Sequence, residues 1–155
     1  MKGHEEVVEH LNARLAEELT AINQYMVHAE MCENWKYARL GDMIQKRAIV
    51  EMKHAETLID RILYLDGRPI VSNLNQIIIG PDVEAMHKSD YNLEIGAVEG
   101  YNESIKKARE LGDNGTARLL RSILADEEGH IDELEAQFDQ IKQTGIENYL
   151  AEQIR

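Results

Sequence analysis

The sequence is poor in the residues that build disulfide-linked or turn-rich proteins. Its 155 residues include one cysteine, two prolines and ten glycines, and aromatic residues make up only 5%. The single cysteine, Cys32, cannot form an internal disulfide, which suits the reducing cytosol. Sparse proline and glycine favour long helices over an all-β fold with many turns. We therefore expect an all-α protein of the cytoplasm.

Long apolar runs and an excess of basic residues are also missing. No stretch of 18 or more apolar residues is present, so we predict no transmembrane helix and no membrane partner. The first ten residues, MKGHEEVVEH, lack the apolar stretch of a secretory signal peptide. Seventeen basic residues against 29 acidic ones give a formal charge of −12, which disfavours nucleic acid as a partner. The length is sufficient for one domain with its own core, so we predict a single domain over residues 1–155.

Helical periodicity and the breaks between periodic segments predict four long helices and a short fifth. The predicted bounds are His4 to Asn34, Ala38 to Leu65, Asp82 to Leu111, Thr116 to Thr144 and residues 146–154. Asp82 follows a Gly-Pro pair and can cap the third helix, and Thr116 follows the break GDNG and can cap the fourth.

The lengths of the connections predict how the helices are arranged. Short breaks near residues 35–38 and 112–115 should make two antiparallel hairpins. The segment 66–81 can span about 50 Å when extended, whereas a helix of about 27 residues is about 40 Å long. A crossover along the whole bundle is therefore possible, and it would make the second and third helices parallel. Within it, NQIII is apolar enough to pack on another surface.

Two copies of a Glu-x-x-His motif lie in the second and fourth predicted helices. Glu51 and His54 are repeated by Glu127 and His130 at a spacing of 76 residues. Residues three apart share one face of a helix, so each glutamate points in the same direction as its histidine. The repeat indicates that the second hairpin corresponds to the first, residue by residue, as in a bundle with internal pseudo-twofold symmetry.

The same spacing relates a glutamate of the first helix to one of the third. Glu18 lies in ELTAINQY and Glu94 in EIGAVEGY, two segments with matching apolar, alanine and tyrosine positions. A third Glu-x-x-His, in EAMH at 84–87, has no counterpart at this spacing, and we attribute it to chance.

The six repeated residues match the ligand pattern of di-iron carboxylate proteins with a four-helix bundle. Four carboxylates would neutralise two divalent cations, and imidazole is a ligand suited to Fe(II). Open positions would remain for O₂ or peroxide. Glutamate and histidine on helices are usually solvated surface residues. However, four carboxylates buried together without metal would repel one another and be costly to desolvate.

The remaining tyrosines and histidines have weaker patterns. Tyr25 and Tyr101 lie two turns after Glu18 and Glu94, on about the same face. They are either core tyrosines or hydrogen-bond donors to the metal-binding carboxylates, and we favour the donor role; Tyr25 could also give up an electron. Four histidines without a partner pattern are expected at the surface or at interfaces: His4, His10, His28 and His87.

Across essentially its whole length, the sequence resembles the bacterioferritins. The resemblance is carried, in family order and spacing, by MKG, AINQY, EMKHAE, RILYLDGRP, DEEGHID and NYLAEQIR. It implies a ferritin-like bundle that assembles into a homo-oligomeric cage of twenty-four subunits built from dimers. The implied function is iron storage, with a ferroxidase reaction in which O₂ or hydrogen peroxide oxidises Fe(II) at an intrasubunit site for two irons. It assigns Glu18 and Glu94 as terminal ligands and Glu51 and Glu127 as bridging ligands, with one histidine, His54 or His130, on each metal.

The resemblance also implies one haem per subunit dimer, bound by a methionine from each subunit. The matching residue is Met52, which follows Glu51 and so projects about 100° away from the metal face. Pocket residues are expected nearby on the first two helices: Leu19, Ile22, Asn23, Met26, Ile49 and Lys53. Lys53 would suit a haem propionate. A ferredoxin-like electron donor for iron release is the implied partner.

The chain departs from the pattern of some family members at two positions. Some members carry His and Asp where this chain has Lys46 and Val50, so an extra inner iron site is not expected here.

The alternative function is another di-iron redox protein, such as a peroxide reductase. The rubredoxin-type site of a rubrerythrin, however, needs four cysteines, and this chain has one. A DNA-protecting mini-ferritin is disfavoured because it would need DNA affinity, which is not expected of a chain with a formal charge of −12. A metal-free bundle is disfavoured because it would not require the six-residue repeat.

Overall fold

The computed structural model describes residues 1–155 and contains five helices and no strands. They are α1 (Glu5–Asn34), α2 (Ala38–Tyr64), α3 (Val83–Glu110), α4 (Asn114–Thr144) and α5 (Ile146–Ala151). The predicted all-α bundle of four long helices and a short fifth is confirmed. No helix is both long and apolar enough to cross a membrane.

Contacts between α1 and α3 show the direction of the third helix. Near the start of α1, Arg14 donates a hydrogen bond to Ser104 of α3 at 3.0 Å. Near its end, the Cys32 sulfur lies 4.0 Å from the sulfur of Met86, at the start of α3. Helix α3 therefore runs antiparallel to α1 and parallel to α2, as the length of the crossover predicts.

The crossover between α2 and α3 is attached to α1 by polar side chains on one helix face. Asn12, Thr20, Gln24 and His28 accept the backbone N–H groups of Ile70, Asn75, Ile78 and Gly80, in that order, at 2.8 to 3.0 Å. Side chains of α1 thus accept hydrogen bonds from part of the backbone of a segment that has no helix or strand of its own.

The caps of α3 and α4 test the predicted boundaries. Asp82 caps α3 by accepting the Ala85 N–H at 2.8 Å, as predicted. The prediction that Thr116 caps α4 is wrong, because the cap is Asp113 and α4 begins at Asn114. The carboxylate of Asp113 accepts both the Thr116 N–H, at 3.0 Å, and the Thr116 hydroxyl, at 2.6 Å. An ionised acceptor close to the positive helix end outcompetes the hydroxyl.

The fifth helix ends at Ala151 and does not continue through residue 154 as predicted. The chain turns there because Gln153 folds back: its side chain donates to the carbonyl of Tyr149, at 3.1 Å. The backbone carbonyl of Gln153 also accepts the N–H of Arg39, at the start of α2. These contacts fix the C-terminal segment against the first hairpin.

Two of the four histidines expected at the surface or at interfaces, His28 and His87, are instead fully buried. His28 accepts from Gly80 with Nε2, so its Nδ1–H donates to Asp90 at 2.9 Å. The Tyr149 hydroxyl donates to Gln137 and therefore accepts from His87 Nε2–H, at 2.9 Å. His4 is exposed and His10 half-buried.

Neutral His87 is expected to make the stability of the fold pH-dependent. Burial, reinforced by the charge of Arg47, lowers the pKa of His87 to about 4, and its Nδ1 has no partner. The unfolded chain binds a proton at this histidine near pH 6.5, whereas the folded chain binds it only at about pH 4. The stability that depends on neutral His87 is therefore complete above pH 6.5 and falls as the pH drops toward 4. Its loss amounts to up to about 3 kcal/mol per chain. In thermal unfolding between pH 7.5 and 4.5, His87→Gln should therefore show a shallower loss of midpoint than wild type. His4→Gln, at an exposed site, should follow wild type; equal slopes for all three proteins would contradict the prediction.

The buried core has two apolar clusters at opposite ends of the bundle. One includes Leu11, Leu58 and Tyr101, and the other includes Ile44 and Met86. In each long helix, a buried glutamate lies between residues of the first cluster and residues of the second. The result is a polar layer across the middle of an otherwise apolar core.

Candidate metal centre

The polar layer is formed by the six residues that the repeat brings together. Each long helix contributes one glutamate, and every one of these glutamates is at most 1% exposed: Glu18, Glu51, Glu94 and Glu127. His54 is buried beside them, and His130 is nearly so, with a side chain 12% exposed. Helices α2 and α4 each supply a glutamate and a histidine one turn apart, which places both on the same inward face.

The first half of the layer surrounds the ring of His54. Its Nδ1 lies 3.1 Å from a carboxylate oxygen of Glu127, 3.4 Å from one of Glu51 and 3.5 Å from one of Glu18. One ligand atom from each of these four residues lies within 4.8 Å of all the others, which is a separation that a single metal ion can span.

The second half surrounds His130 in the same way. Its Nδ1 lies 3.2 Å from Glu94, 3.3 Å from Glu51 and 3.7 Å from Glu127. Glu51 and Glu127 thus belong to both groups, whereas Glu18 belongs only to the first and Glu94 only to the second. The geometry is that of two adjacent four-residue metal sites sharing two carboxylates.

Unpartnered buried atoms show that this donor set fits cations. Of the twelve buried side-chain nitrogen and oxygen atoms without a hydrogen-bond partner, six belong to this layer. They are Glu18 Oε2, Glu51 Oε1, His54 Nδ1, Glu94 Oε2 and both carboxylate oxygens of Glu127. Buried polar atoms are normally paired, because leaving one unpaired costs about 1–3 kcal/mol. Two divalent cations would be ligated by all of them and would balance four carboxylates.

The proton-binding properties of the layer reflect the crowding of like charges. Burial, together with the neighbouring carboxylates, raises the pKa values of Glu51 and Glu127 well above the ordinary range. Burial opposes ionisation of Glu94 too, but the hydrogen bonds with His130, Glu127 and Tyr25 and the charge of His130 together outweigh it and lower the Glu94 pKa. Burial disfavours a charged His54, yet the carboxylates of Glu127 and Glu18 raise its pKa to about 11. The metal-free layer therefore retains protons that cations would displace.

Two tyrosines hold the outer glutamates in place. The hydroxyl of Tyr25 donates to Glu94, and that of Tyr101 donates to Glu18. Burial and the adjacent carboxylates raise the pKa values of both tyrosines, so both remain protonated donors. The arrangement is reciprocal, because each tyrosine reaches the glutamate of the other hairpin. Of the alternatives open for these tyrosines, contact with the carboxylates is the one observed.

Two further residues next to the layer were not among the predicted site residues. Asp126 accepts a hydrogen bond from His54 Nε2 at 2.8 Å, across the gap between α4 and α2. The guanidinium of Arg47 lies 5.3 Å from the ring centroid of Tyr25. Neither follows the 76-residue repeat, and their positions depend on packing between helices, so the sequence carried no signal for them.

A cavity of about 130 Å³ reaches the layer from the α1 and α3 side. Its lining includes all four glutamates, together with Glu17 and Asn75 of the crossover. Burial raises the pKa of Glu17 to about 7, even though Arg14 lies beside it. The cavity is large enough to hold several water-sized molecules next to the carboxylates.

The predicted haem residues lie on the outer face of the first hairpin. Met52 is 46% exposed, Ile49 is 42% exposed and Met26 is 51% exposed. The others range from half-buried Leu19, Ile22 and Asn23 to exposed Lys53. A thioether with no polar partner among exposed apolar side chains is suited to bind haem iron, so these residues would fit a haem held between this face and a second surface.

Comparison with known proteins agrees with this architecture. The ferritin family, described as a ferritin-like domain, matches residues 8–144. A bacterioferritin of Mycolicibacterium paratuberculosis is 40% identical over 152 residues, covering 98% of this chain and 96% of that protein. A bacterioferritin of Streptomyces coelicolor is 40% identical over 97% of this chain and 90% of its own length. One of Brucella melitensis is 40% identical over 96% of this chain and 92% of its own length. With this coverage and identity, the chain belongs to the ferritin family and, within it, to the bacterioferritins.

Proposed function

We propose that this protein stores iron and is a ferroxidase that oxidises Fe(II) within each subunit. The observation that carries the proposal is the pair of overlapping four-residue groups, which share Glu51 and Glu127 and contain six unpartnered buried atoms. In the proposed assignment these two glutamates bridge the metals, Glu18 and Glu94 are terminal ligands, and His54 and His130 bind one metal each. Membership of the bacterioferritins supports iron as the metal.

Each ligand type has a distinct task in the reaction. The carboxylates replace the water around Fe(II) and match the charge of two cations, and they stabilise Fe(III) still more because its charge is higher. The hydroxyls of Tyr25 and Tyr101 hold Glu94 and Glu18, so the outer ligands stay in position as the metal charge changes. The proposed role of Tyr25 is this orientation of a ligand.

The electrons of the reaction balance for either oxidant. Two Fe(II) substrates lose one electron each and become two Fe(III). O₂ takes up the two electrons and two protons and becomes hydrogen peroxide; if hydrogen peroxide is the oxidant, it becomes two waters. The cavity on the α1 and α3 side admits molecules of this size.

Haem is the second proposed group, and Met52 would hold it at an interface between two subunits. When bound, haem supplies a one-electron carrier. Met52 offers its sulfur from the outer face of α2, and Lys53 places an ammonium next to it for a propionate. Ile49 and Met26 supply exposed apolar surface for the macrocycle. The proposed electron donor is ferredoxin-like, and the proposed location is the cytoplasm.

Assembly into a cage of twenty-four subunits belongs to the same proposal. Six large apolar side chains are more than one-third exposed within ten residues of the crossover: Ile70, Val71, Leu74, Ile77, Ile78 and Ile79. A patch of this density on one protein surface marks an interface. Other subunits of the cage would cover it.

The ferroxidase activity is tested by mixing metal-free protein with Fe(II) in air and following absorbance of Fe(III) by stopped flow. The fast phase should grow with added iron and saturate near two Fe(II) per chain, because there are two four-residue groups. Zn(II) added first, at the same ratio, should suppress that phase because it takes the same ligands and is not oxidised. A fast phase that neither saturates nor responds to Zn(II) would refute the assignment.

A further inference from the structure

The two halves of the metal centre are related by the 76-residue repeat, including the hydrogen bonds around the ligands. Glu18 and Glu94 correspond to each other, and so do Tyr25 and Tyr101, each of which donates to the glutamate of the other hairpin. Glu51 and Glu127 correspond as well, and each contacts both histidines. Any inequality between the two metal positions must therefore come from residues that break the repeat.

One such break lies directly behind the histidines. The far nitrogen of His54, Nε2, donates to Asp126 at 2.8 Å. The repeat places Val50 at the position equivalent to Asp126, so the half-site of His130 has an apolar residue there. The Nε2 of His130 has no hydrogen-bond or ion-pair partner in the chain.

A carboxylate behind a metal-binding histidine strengthens it as a ligand. It fixes which ring nitrogen carries the proton, holds the ring orientation and makes the metal-facing nitrogen more basic. His54 has such a carboxylate: its Nδ1 faces three glutamates, and its Nε2–H donates to Asp126. His130 must be oriented by packing and by its contacts with Glu94 and Glu51 alone.

We propose that Asp126 is a positioning residue that makes the His54 half-site the tighter of the two, so that the centre fills in a fixed order. The first divalent cation binds to Glu18, His54 and the shared carboxylates; the second binds beside His130 more weakly and exchanges more readily. This inference rests on the proposed metal centre, and it adds an order of filling that the assigned ligands alone do not give.

The size of the effect follows from the exposure of Asp126. Removing such a hydrogen-bond partner from a metal-binding histidine costs about 10–100-fold in metal affinity. The side chain of Asp126 is 56% exposed, so water screens it. We therefore expect the lower end of that range. Lys53 and Arg118 line the same groove between α2 and α4, but neither pairs with Asp126.

The test isolates each half-site in the full-length, metal-free protein and titrates it with Co(II) without oxygen. Glu94→Ala removes the glutamate found only near His130, and Glu18→Ala removes the one found only near His54. Asp126→Asn should weaken Co(II) binding about tenfold in the Glu94→Ala protein and less than about twofold in the Glu18→Ala protein. Asp126→Ala should weaken it further in the Glu94→Ala protein, because Asn still offers a neutral acceptor. The visible spectrum of bound Co(II) should change only where affinity changes.

Controls separate this inference from the metal centre itself. Asp139→Asn, at an exposed site on the same helix, should leave Co(II) affinity unchanged in both backgrounds, and far-UV circular dichroism should show all variants equally helical. If Asp126→Asn changes both half-sites equally, or neither, the positioning role is overturned while the metal centre stands. If neither background binds Co(II), the metal centre and the inference both fail.

Discussion

Exchanging Glu51 and Glu127 together for glutamine should make the metal-free protein more stable while abolishing fast Fe(II) oxidation. These carboxylates are fully buried and adjoin each other and two more, and burial raises both pKa values. Their raised pKa values keep these two groups protonated in the metal-free fold, so each must take up a proton when the chain folds at pH 7. This uptake costs about 1.4 kcal/mol for each pH unit above the unfolded pKa of about 4.3, and glutamine, which is neutral, avoids the cost. The thermal midpoint of the metal-free protein should rise by several degrees. The oxidation rate should fall about 100-fold or more, because neither metal keeps its shared ligands.

The same variant should lose the stabilisation that metal gives. A ligand at 1,000 times its Kd stabilises a folded protein by about 4 kcal/mol. Differential scanning calorimetry with and without Zn(II) should therefore show a large upward shift for wild type and almost none for Glu51→Gln/Glu127→Gln. The matched control is Glu56→Gln/Glu128→Gln, which changes two exposed glutamates of the same helices. A metal-free midpoint that falls would show that these carboxylates stabilise the fold, and a Zn(II) shift that persists would show that they are not the metal ligands.

This opposition between stability and activity explains why the ligand set is visible in the sequence. Four buried glutamates at matching positions in four helices contribute nothing to an apolar core, so their repetition at one spacing has to come from the chemistry they serve. The geometry agrees, because the residues picked out by the repeat are the ones that meet, and the third Glu-x-x-His pair is separate from them. Glu84 of that pair is exposed.

Helix boundaries were also largely predictable, because the signals for them are local. Asp82 caps the helix that it precedes, and Gly145, with φ at 81°, separates α4 from α5. The error at Thr116 has the same local origin, since Asp113 and Thr116 are both good caps and only the hydrogen bonds decide between them. The choice depends further on Arg61, which donates to both side chains from α2.

Buried polar residues outside the repeat could not be predicted, because their partners come from distant parts of the chain. His28 is buried since it binds the crossover at Gly80 and Asp90 of α3. The sequence alone does not distinguish Asp126 from an ordinary exposed acidic residue next to a ligand. Its contact with His54 depends on the packing of α4 against α2. Periodicity reports which face of a helix is inward but not which residue of another helix lies opposite.

The second large effect concerns Met52, on the other side of α2 from the metal layer. Met52→Leu keeps the size and apolar character of the side chain and removes only the sulfur, so packing at a subunit interface should be preserved. The bond to a haem iron cannot be replaced by a methyl group. The haem content of the purified protein, measured as the ratio of haem to protein absorbance, should fall at least about tenfold. Fast Fe(II) oxidation should be unchanged, because Glu51 and His54 point toward the bundle interior and Met52 does not.

Met26→Leu is the matched control for Met52→Leu because it makes the same chemical change at another exposed methionine of the first hairpin. Met26 is 51% exposed and is assigned only to the wall of the pocket, so its variant should retain haem with the spectrum of the wild type. Retention of haem by Met52→Leu, with loss in Met26→Leu, would assign the iron ligand to Met26 of α1 instead of Met52 of α2. The two results together therefore distinguish a specific iron ligand from general apolar surface, which neither the exposure of these methionines nor their spacing can do.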